Sequence, residues 1–208
     1  SSGTIRGGAF GISNIGSINS LTNAGVISGD NFGIANSGSI LNLVNYGSVI
    51  GNNSFGVSGI LNSAFTIVDQ RGALVRAVVG NVDSLTNFGN ITGNVGVKNS
   101  IDTDSLSGAS LSVNIRAIQN SGSIRGSTYG ILNGISGSYS TSYQLYASIN
   151  SLINTNEISG GVYGVANAIG TISAPIGGKK AIVATIGNLS NSGVISGGTY
   201  GVYNASTI

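Results

Sequence analysis

The chain has 208 residues, 40% of them hydrophobic and only 7% charged, with 35 glycines and a single proline. That balance excludes a charged disordered tail, and the scarcity of Glu, Lys and Gln beside abundant Ile, Val, Gly and Asn argues against a helical bundle. Cys, Met, Trp and His are all absent, which removes thiol and imidazole catalysts and His or Cys metal sites. The formal charge of +2 supplies no dense basic stripe for nucleic acid.

The segment from Gly25 to Tyr46, GVISGDNFGIANSGSILNLVNY, is restated along the chain, with matching starts at Gly3, Gly47, Gly89, Gly122, Asn156 and Gly193. The spacings are 22, 22, 42, 33, 34 and 37 residues. A fixed period followed by longer copies is the pattern of a repeat architecture with insertions. Residues 1–46 form the regular copies, 47–192 the enlarged ones and 193–208 a partial one, all within one domain.

Each copy opens on G-x-I-x-G, with Ile5, Ile27, Val49, Ile91, Ile124, Ile158 and Ile195 in file and Gly7, Gly29, Gly51, Gly93, Gly126, Gly160 and Gly197 closing it. One inward β-branched residue followed by glycine predicts a short strand ending at a corner, where glycine would supply positive φ.

The second segment is aromatic-G-[IV]-x-N. Phe10, Phe32, Phe55, Tyr129, Tyr163 and Tyr200 form its aromatic file, with Val95 the exception, and Ile12, Ile34, Val57, Val97, Ile131, Val165 and Val202 follow two residues later. A period of two predicts that each aromatic and its aliphatic partner face the core together, the alternative being an exposed sugar platform. Asn14, Asn36, Asn99, Asn133, Asn167 and Asn204 close the segment, with Gly59 standing in for Asn in the third copy.

The third segment, [IV]-x-x-[LI]-x-N, ends on Asn23, Asn45, Asn87, Asn120, Asn154 and Asn191. Asn carries a donor and an acceptor on one short side chain. Copies stacked about 4.8 Å apart are therefore expected to bond from coil to coil as structural ladders. Three short strands per copy predict an all-β fold: a right-handed parallel β-helix, three-sided, with about 22 residues per basic coil.

The longer copies all grow between the second and third segments. Three residues suffice there in the first two copies, against 22 (60–81), 15 (100–114), 15 (134–148) and 18 (168–185) in the next four. Arms such as SAFTIV and ALVRAVV around DQRG, or TISA and AIVAT around PIGGKK, predict β-hairpins leaving one side of the rod. Side chains suited to contacting a partner concentrate in these inserts: Arg71, Arg76, Tyr139, Tyr143, Tyr146, Lys179 and Lys180. Asp102 and Asp104 are the one pair of carboxylates close enough for acid–base or calcium chemistry, set against a solvated hairpin tip. No other catalytic or metal constellation is legible, and no cofactor is expected.

The phrases NSGSIRGSTYGILN and NSGVISGGTYGVYN resemble the passenger domains of Gram-negative autotransporters, and the resemblance covers nearly the whole chain outside the inserts. It implies an exported, surface-exposed β-helix acting as an adhesin or self-association factor, whose partners are neighbouring passengers or a glycan or protein surface. A chain that opens on Ser1 directly within the repeat is then expected to be an excerpt of a longer exported protein, and the absence of Cys fits export across the periplasm as it also fits many reduced proteins. Polysaccharide-degrading enzymes and phage tailspikes use the same fold and are the alternatives.

Overall fold

The computed structural model describes residues 2–52, 54, 56–68, 74–106, 110–139, 144–173 and 181–206, with backbone alone at 65–68, 74–77, 103–106, 138–139 and 171–173. Every regular element among them is a strand. The first repeat contributes β1 (Thr4–Gly7), β2 (Phe10–Asn14) and β3 (Ser17–Asn23), and the second β4 (Val26–Gly29), β5 (Phe32–Asn36) and β6 (Ser39–Asn45). The third supplies β7 (Ser48–Gly51), β8 (Ser58–Val68), β9 (Leu74–Val78) and β10 (Asn81–Asn87). In the fourth and fifth, the first two strands run on into one: β11 (Asn90–Leu106) and β12 (Leu111–Asn120), then β13 (Ser123–Tyr139) and β14 (Gln144–Asn154). The sixth holds β15 (Glu157–Gly160), β16 (Tyr163–Ser173) and β17 (Ala181–Asn191), and the last β18 (Val194–Gly197) and β19 (Tyr200–Ala205).

Like strands of successive repeats pair in parallel. One file runs β1-β4-β7-β11-β13-β15-β18, and a second sheet runs β3-β6-β10-β12-β14-β17. The register follows the sequence files: Ile5 opposes Ile27, Ile124 opposes Ile158, and Leu85 opposes both Leu43 and Ile118. An all-β chain of parallel sheets stacked repeat upon repeat is consistent with a solenoid.

The main core is the meeting of these files. Ile27, Ile34, Ile40, Leu43 and their counterparts up to Ile158 and Val165 are buried in one cluster. Each fully buried aliphatic of this kind contributes on the order of 2 kcal/mol of transfer free energy.

The third repeat departs from the expected register. Phe32 opposes Ser58 rather than an aromatic, Ile34 opposes Ile60 and Asn36 opposes Asn62. Ile60, not Val57, therefore fills the core file, and Asn62, not Gly59, fills the Asn file; Phe55 lies outside the described residues. The sequence SFGVSGILN fits the motif twice, and only the second fit keeps an Asn in the ladder. Four extra residues lie between Gly51 and Ser58, compared with the spacing from Gly29 to Phe32, and the insert begins at Ser63.

The corner glycines serve close approach rather than positive φ. Among the described residues φ is positive only at Gly56 (82°) and Gly137 (136°), neither in the files. A Cβ on Gly29 would lie 2.2 Å from the carbonyl oxygen of Phe32, and one on Gly160 would lie 1.9 Å from that of Tyr163; in the opening file, one on Gly89 would lie 2.0 Å from that of Gly47. Stacked bends leave no room for a side chain there.

The inserts also differ from four hairpins. Among the described residues only the first folds back on itself, β8 pairing antiparallel with β9 from Phe65 opposite Val78 to Val68 opposite Leu74. In the later three, the arms prolong their parent strands and pair with the neighbouring repeat: Ile101 opposes Ile135, Ile135 opposes Ile169, and Leu111 opposes Leu145, which opposes Ile182. Backbone groups that an arm spends on the neighbouring repeat are not left for the other arm of its own insert. The first arm of the first insert pairs with the fourth repeat as far as Ala64 opposite Ile101, and from Phe65 on it pairs with its own second arm. Between the prolonged arms lies a second buried cluster that includes Ile101, Leu111, Val113, Ile135, Leu145 and Ile182.

Candidate functional site

Both Asn files are continuous ladders. One runs Asn14, Asn36, Asn62, Asn99, Asn133, Asn167 and Asn204, each Nδ2 donating to the next Oδ1 at 2.7–2.8 Å. The other runs Asn23, Asn45, Asn87, Asn120, Asn154 and Asn191 at 2.7–2.9 Å. Their Oδ1 atoms also accept the backbone N–H two residues on, as at Gly16 and Gly25, so they brace the bends as well as the stack. These amides are consumed by structure.

The aromatic file, expected in the core, lies on the surface. Phe10 and Tyr200, in the first and last repeats, are 42% and 49% exposed, Phe32, Tyr129 and Tyr163 are half-buried, and neither core cluster includes any described ring of the file. Gly11, Gly33, Gly130 and Gly164 take the inward position instead: a Cβ on Gly33 would meet Val49 Cγ1 at 2.7 Å, and one on Gly130 would meet Ile158 Cγ2 at 2.8 Å. The β-branched side chain of the next repeat already fills that space, so the aromatic is displaced outward. Simple period-two counting fails because two successive residues, Gly33 and Ile34, are both buried.

Displaced rings stack on one another. Phe10 and Phe32 have centroids 5.7 Å apart, Tyr129 and Tyr163 5.1 Å, and Tyr163 and Tyr200 5.9 Å, with interplanar angles of 15° or less. Tyr203, opposite Ala166 on the strand, completes a cluster of four, its centroid 5.2 Å from Tyr163 and 5.5 Å from Tyr200, tilted at 43° and 35°. Ala166 is only 1% exposed although no core cluster includes it. Faces spent on neighbouring rings leave mainly edges and hydroxyls to solvent, which suits a polar contact surface better than a flat sugar platform. Burial first, then the neighbouring Tyr163 and Tyr203 phenols, push the Tyr129 hydroxyl above its ordinary range.

A second exposed pair, Tyr46 and Phe88, stacks at 5.0 Å and 6°. The sequence reading missed it. Both residues directly follow a ladder Asn, so the signal was their shared position in the repeat.

Asp102 sits on β11 with its carboxylate ion-paired to Lys98, and it accepts hydrogen bonds from Ser100 Oγ at 2.8 Å and Ser136 Oγ at 2.7 Å. Burial pushes the carboxyl up, but the Lys98 charge and these donors outweigh it and hold the group below the usual carboxylate range. A depression of about 190 Å³ runs from Asp102 and Ser136 to Tyr129, over Gly134, Ala168 and Gly170. The strand carrying Asp102 also carries Asp104, whose side chain lies outside the described residues. A second groove, about 340 Å³, lies where the short links at Ile15 and Ser37 meet Val78 and Val79 at the foot of the first insert; its lining residues include no ionisable side chain.

Two further ion pairs tie repeats together. Arg116 clamps Asp83, its Nη2 donating to Oδ2 at 2.8 Å, and Arg125 clamps Glu157, its Nε donating to Oε1 at 3.0 Å. Hydrogen bonding to each arginine lowers the pKa of both acids. No group of three or more His, Cys, Asp or Glu side chains is placed to hold a metal among the described residues, and no described helix is long and apolar enough to cross a membrane.

Of the expected contact residues, only Tyr146 has a described side chain, 38% exposed on β14. Arg76 and Tyr139 are placed on strands β9 and β13 by backbone alone, while Arg71, Tyr143, Lys179 and Lys180 lie outside the described residues. Compared with known proteins, the chain matches no family model, no curated protein and no solved structure.

Proposed function

We propose that the chain is a non-enzymatic segment of an exported surface protein, an adhesin or self-association rod of the autotransporter passenger type. In this reading the parallel sheets close into a right-handed, three-sided β-helix of about 22 residues per basic coil, and the inserts form a flap on one side. The observation that carries the proposal is how ionisable chemistry is used. Asp83, Asp102 and Glu157 are each paired with a Lys or Arg, two of these pairs bridging successive repeats. A carboxyl held below its ordinary range is ionised near neutrality and is poorly matched to a general acid, which needs the opposite shift. Contacts repeated along a rod would act multivalently, each weak alone.

The test is display of the segment on a cell that does not otherwise aggregate. Clumping or attachment above the level of an empty display scaffold is expected, and unchanged settling and attachment on several surfaces would count against the proposal. The competing enzyme is tested by incubating the purified chain with acidic polysaccharides. New reducing ends that vanish in Asp104→Asn would replace this reading, and a tight trimer by light scattering would favour a tailspike.

A further inference from the structure

We propose that the cluster Tyr129, Tyr163, Tyr200 and Tyr203 is a site of oxidative modification, where a one-electron oxidant couples Tyr163 to Tyr203 as a dityrosine bridge between successive repeats. Three observations on the chain point the same way. Cys, Met, Trp and His are absent, so the side chains that usually intercept oxidants first are missing and tyrosine is the most readily oxidised group left. Four phenols then lie in one connected cluster centred on Tyr163, so a radical formed on one has a second phenol beside it. Finally, the geometry selects the pair between successive repeats, with Tyr200 and Tyr203, 5.5 Å apart and tilted by 35°, as the competing pair within one repeat. A dityrosine joins two rings edge to edge through their ortho carbons with a twist between the planes. Tyr163 and Tyr203, 5.2 Å apart and tilted by 43°, are nearer that arrangement than Tyr163 and Tyr200, which lie face to face at 5.9 Å and 10°.

The chemistry balances with a haem peroxidase and hydrogen peroxide as oxidant. Each phenol gives up one electron and one proton to become a phenoxyl radical, and the two electrons and two protons reduce the peroxide to two waters. The radicals join through a new carbon–carbon bond between ortho positions. Each ring then moves the hydrogen on its newly bonded ortho carbon to oxygen and is aromatic again, so the chain has lost two hydrogen atoms in all. The product would be a covalent staple in a protein that has no cysteine with which to make a disulfide.

Treating the full chain at low concentration with horseradish peroxidase and hydrogen peroxide tests the proposal. A monomer lighter by two hydrogens and showing dityrosine fluorescence is expected. Trypsin cuts after Arg125, Lys179 and Lys180, so Tyr163 falls in the 126–179 peptide and Tyr203 in the 181–208 peptide. Fragmentation of the joined peptides should place the bond at Tyr163 and Tyr203. Tyr203→Phe keeps the ring but cannot form a phenoxyl radical, and it should abolish the joined peptide; Tyr46→Phe should leave its yield unchanged. Covalent dimers in place of the internal link, oxygen adducts without coupling, or a joined peptide that persists in Tyr203→Phe would each overturn the assignment. Because the readout is covalent and uses no cell, it stands or falls separately from the adhesion experiment.

Discussion

Asn120 and Asn154 hold the same place in successive repeats, and the Nδ2 of the first donates to the Oδ1 of the second at 2.7 Å. The same amide lies 3.1 Å from the Gly122 carbonyl and 2.8 Å from that of Glu157, while its own Oδ1 accepts from Asn87. Removing it strands several buried polar groups at once. Asn120→Ala is therefore expected to cost about 2–4 kcal/mol in urea unfolding. Asn150→Ala, at an exposed position of the same sheet, should stay within about 0.5 kcal/mol. Equal midpoints for the two variants would show that the ladder contributes nothing.

Glycine identity should matter by position rather than by composition. In Gly89→Ala the new methyl meets the Gly47 carbonyl oxygen at 2.0 Å, backbone that cannot move without parting two repeats. The nearest atom to a methyl in Gly16→Ala is the Asn14 Oδ1, 4.0 Å away. The first change should lower the melting temperature sharply or prevent folding. The second should be neutral or slightly stabilising, since alanine restricts the unfolded chain.

These two cases also mark what the sequence could reveal. The Ile, Gly and Asn files were legible because each makes the same contact in every repeat, and so recurs at one offset. The aromatic file was equally legible as a pattern but not in its orientation. Whether Phe32 faces in or out depends on Val49 of the next repeat already occupying the inward space at Gly33, a contact no local window contains. The third repeat was ambiguous because Gly59 and Asn62 both close a fitting motif, and the choice is made by Asn36 and Asn99 on either side. Antiparallel pairing at β8 and β9, against parallel stacking in the later inserts, was likewise not legible, because it begins where β8 parts from β11 after Ala64, a contact between repeats.

The tyrosine cluster predicts unequal costs for two similar truncations. Tyr163 touches three rings, whereas Tyr46, 58% exposed, stacks on one. Tyr163→Ala should lose about 2–4 kcal/mol and Tyr46→Ala about 1 kcal/mol or less, read as urea midpoints with unchanged slope. Reversal of that order would contradict the stacking described for the cluster.

Stability should form a plateau across neutral pH with a fall on each side. The Asp83, Asp102 and Glu157 carboxyls lie below their ordinary values in the folded chain. Their contribution is thus complete above the ordinary carboxylate range and is lost as pH falls through it toward the folded values. Tyr129 lies above its ordinary value, so its contribution is complete below the ordinary phenol range and is lost as pH rises past it. Melting temperatures measured from acid to alkali should show both limbs. A rise in stability on acidification would contradict the ion pairs.

Shortening an insert tests the second core. Replacing 168–185 with a three-residue link removes Ile182 and Ala184, which pack with Leu145, Ala147 and Ile135. The main core should survive, keeping the strand signal in circular dichroism. The newly exposed cluster should bind a hydrophobic dye that the parent chain does not. An unchanged dye response would mean the arms of the fifth repeat close over their own core unaided.

All eleven amide bonds in the two Asn ladders point the same way, from each repeat to the one that follows. Pleated parallel backbone largely cancels its own dipoles along this direction, whereas aligned side-chain amides, each of about 3.5 D, add up. The molecule is therefore vectorial, with a sense as well as a length, and every added repeat strengthens it. Two such rods lying flank to flank attract when their senses oppose and repel when they agree, so any lateral pairing of this chain starts with a built-in preference for antiparallel alignment.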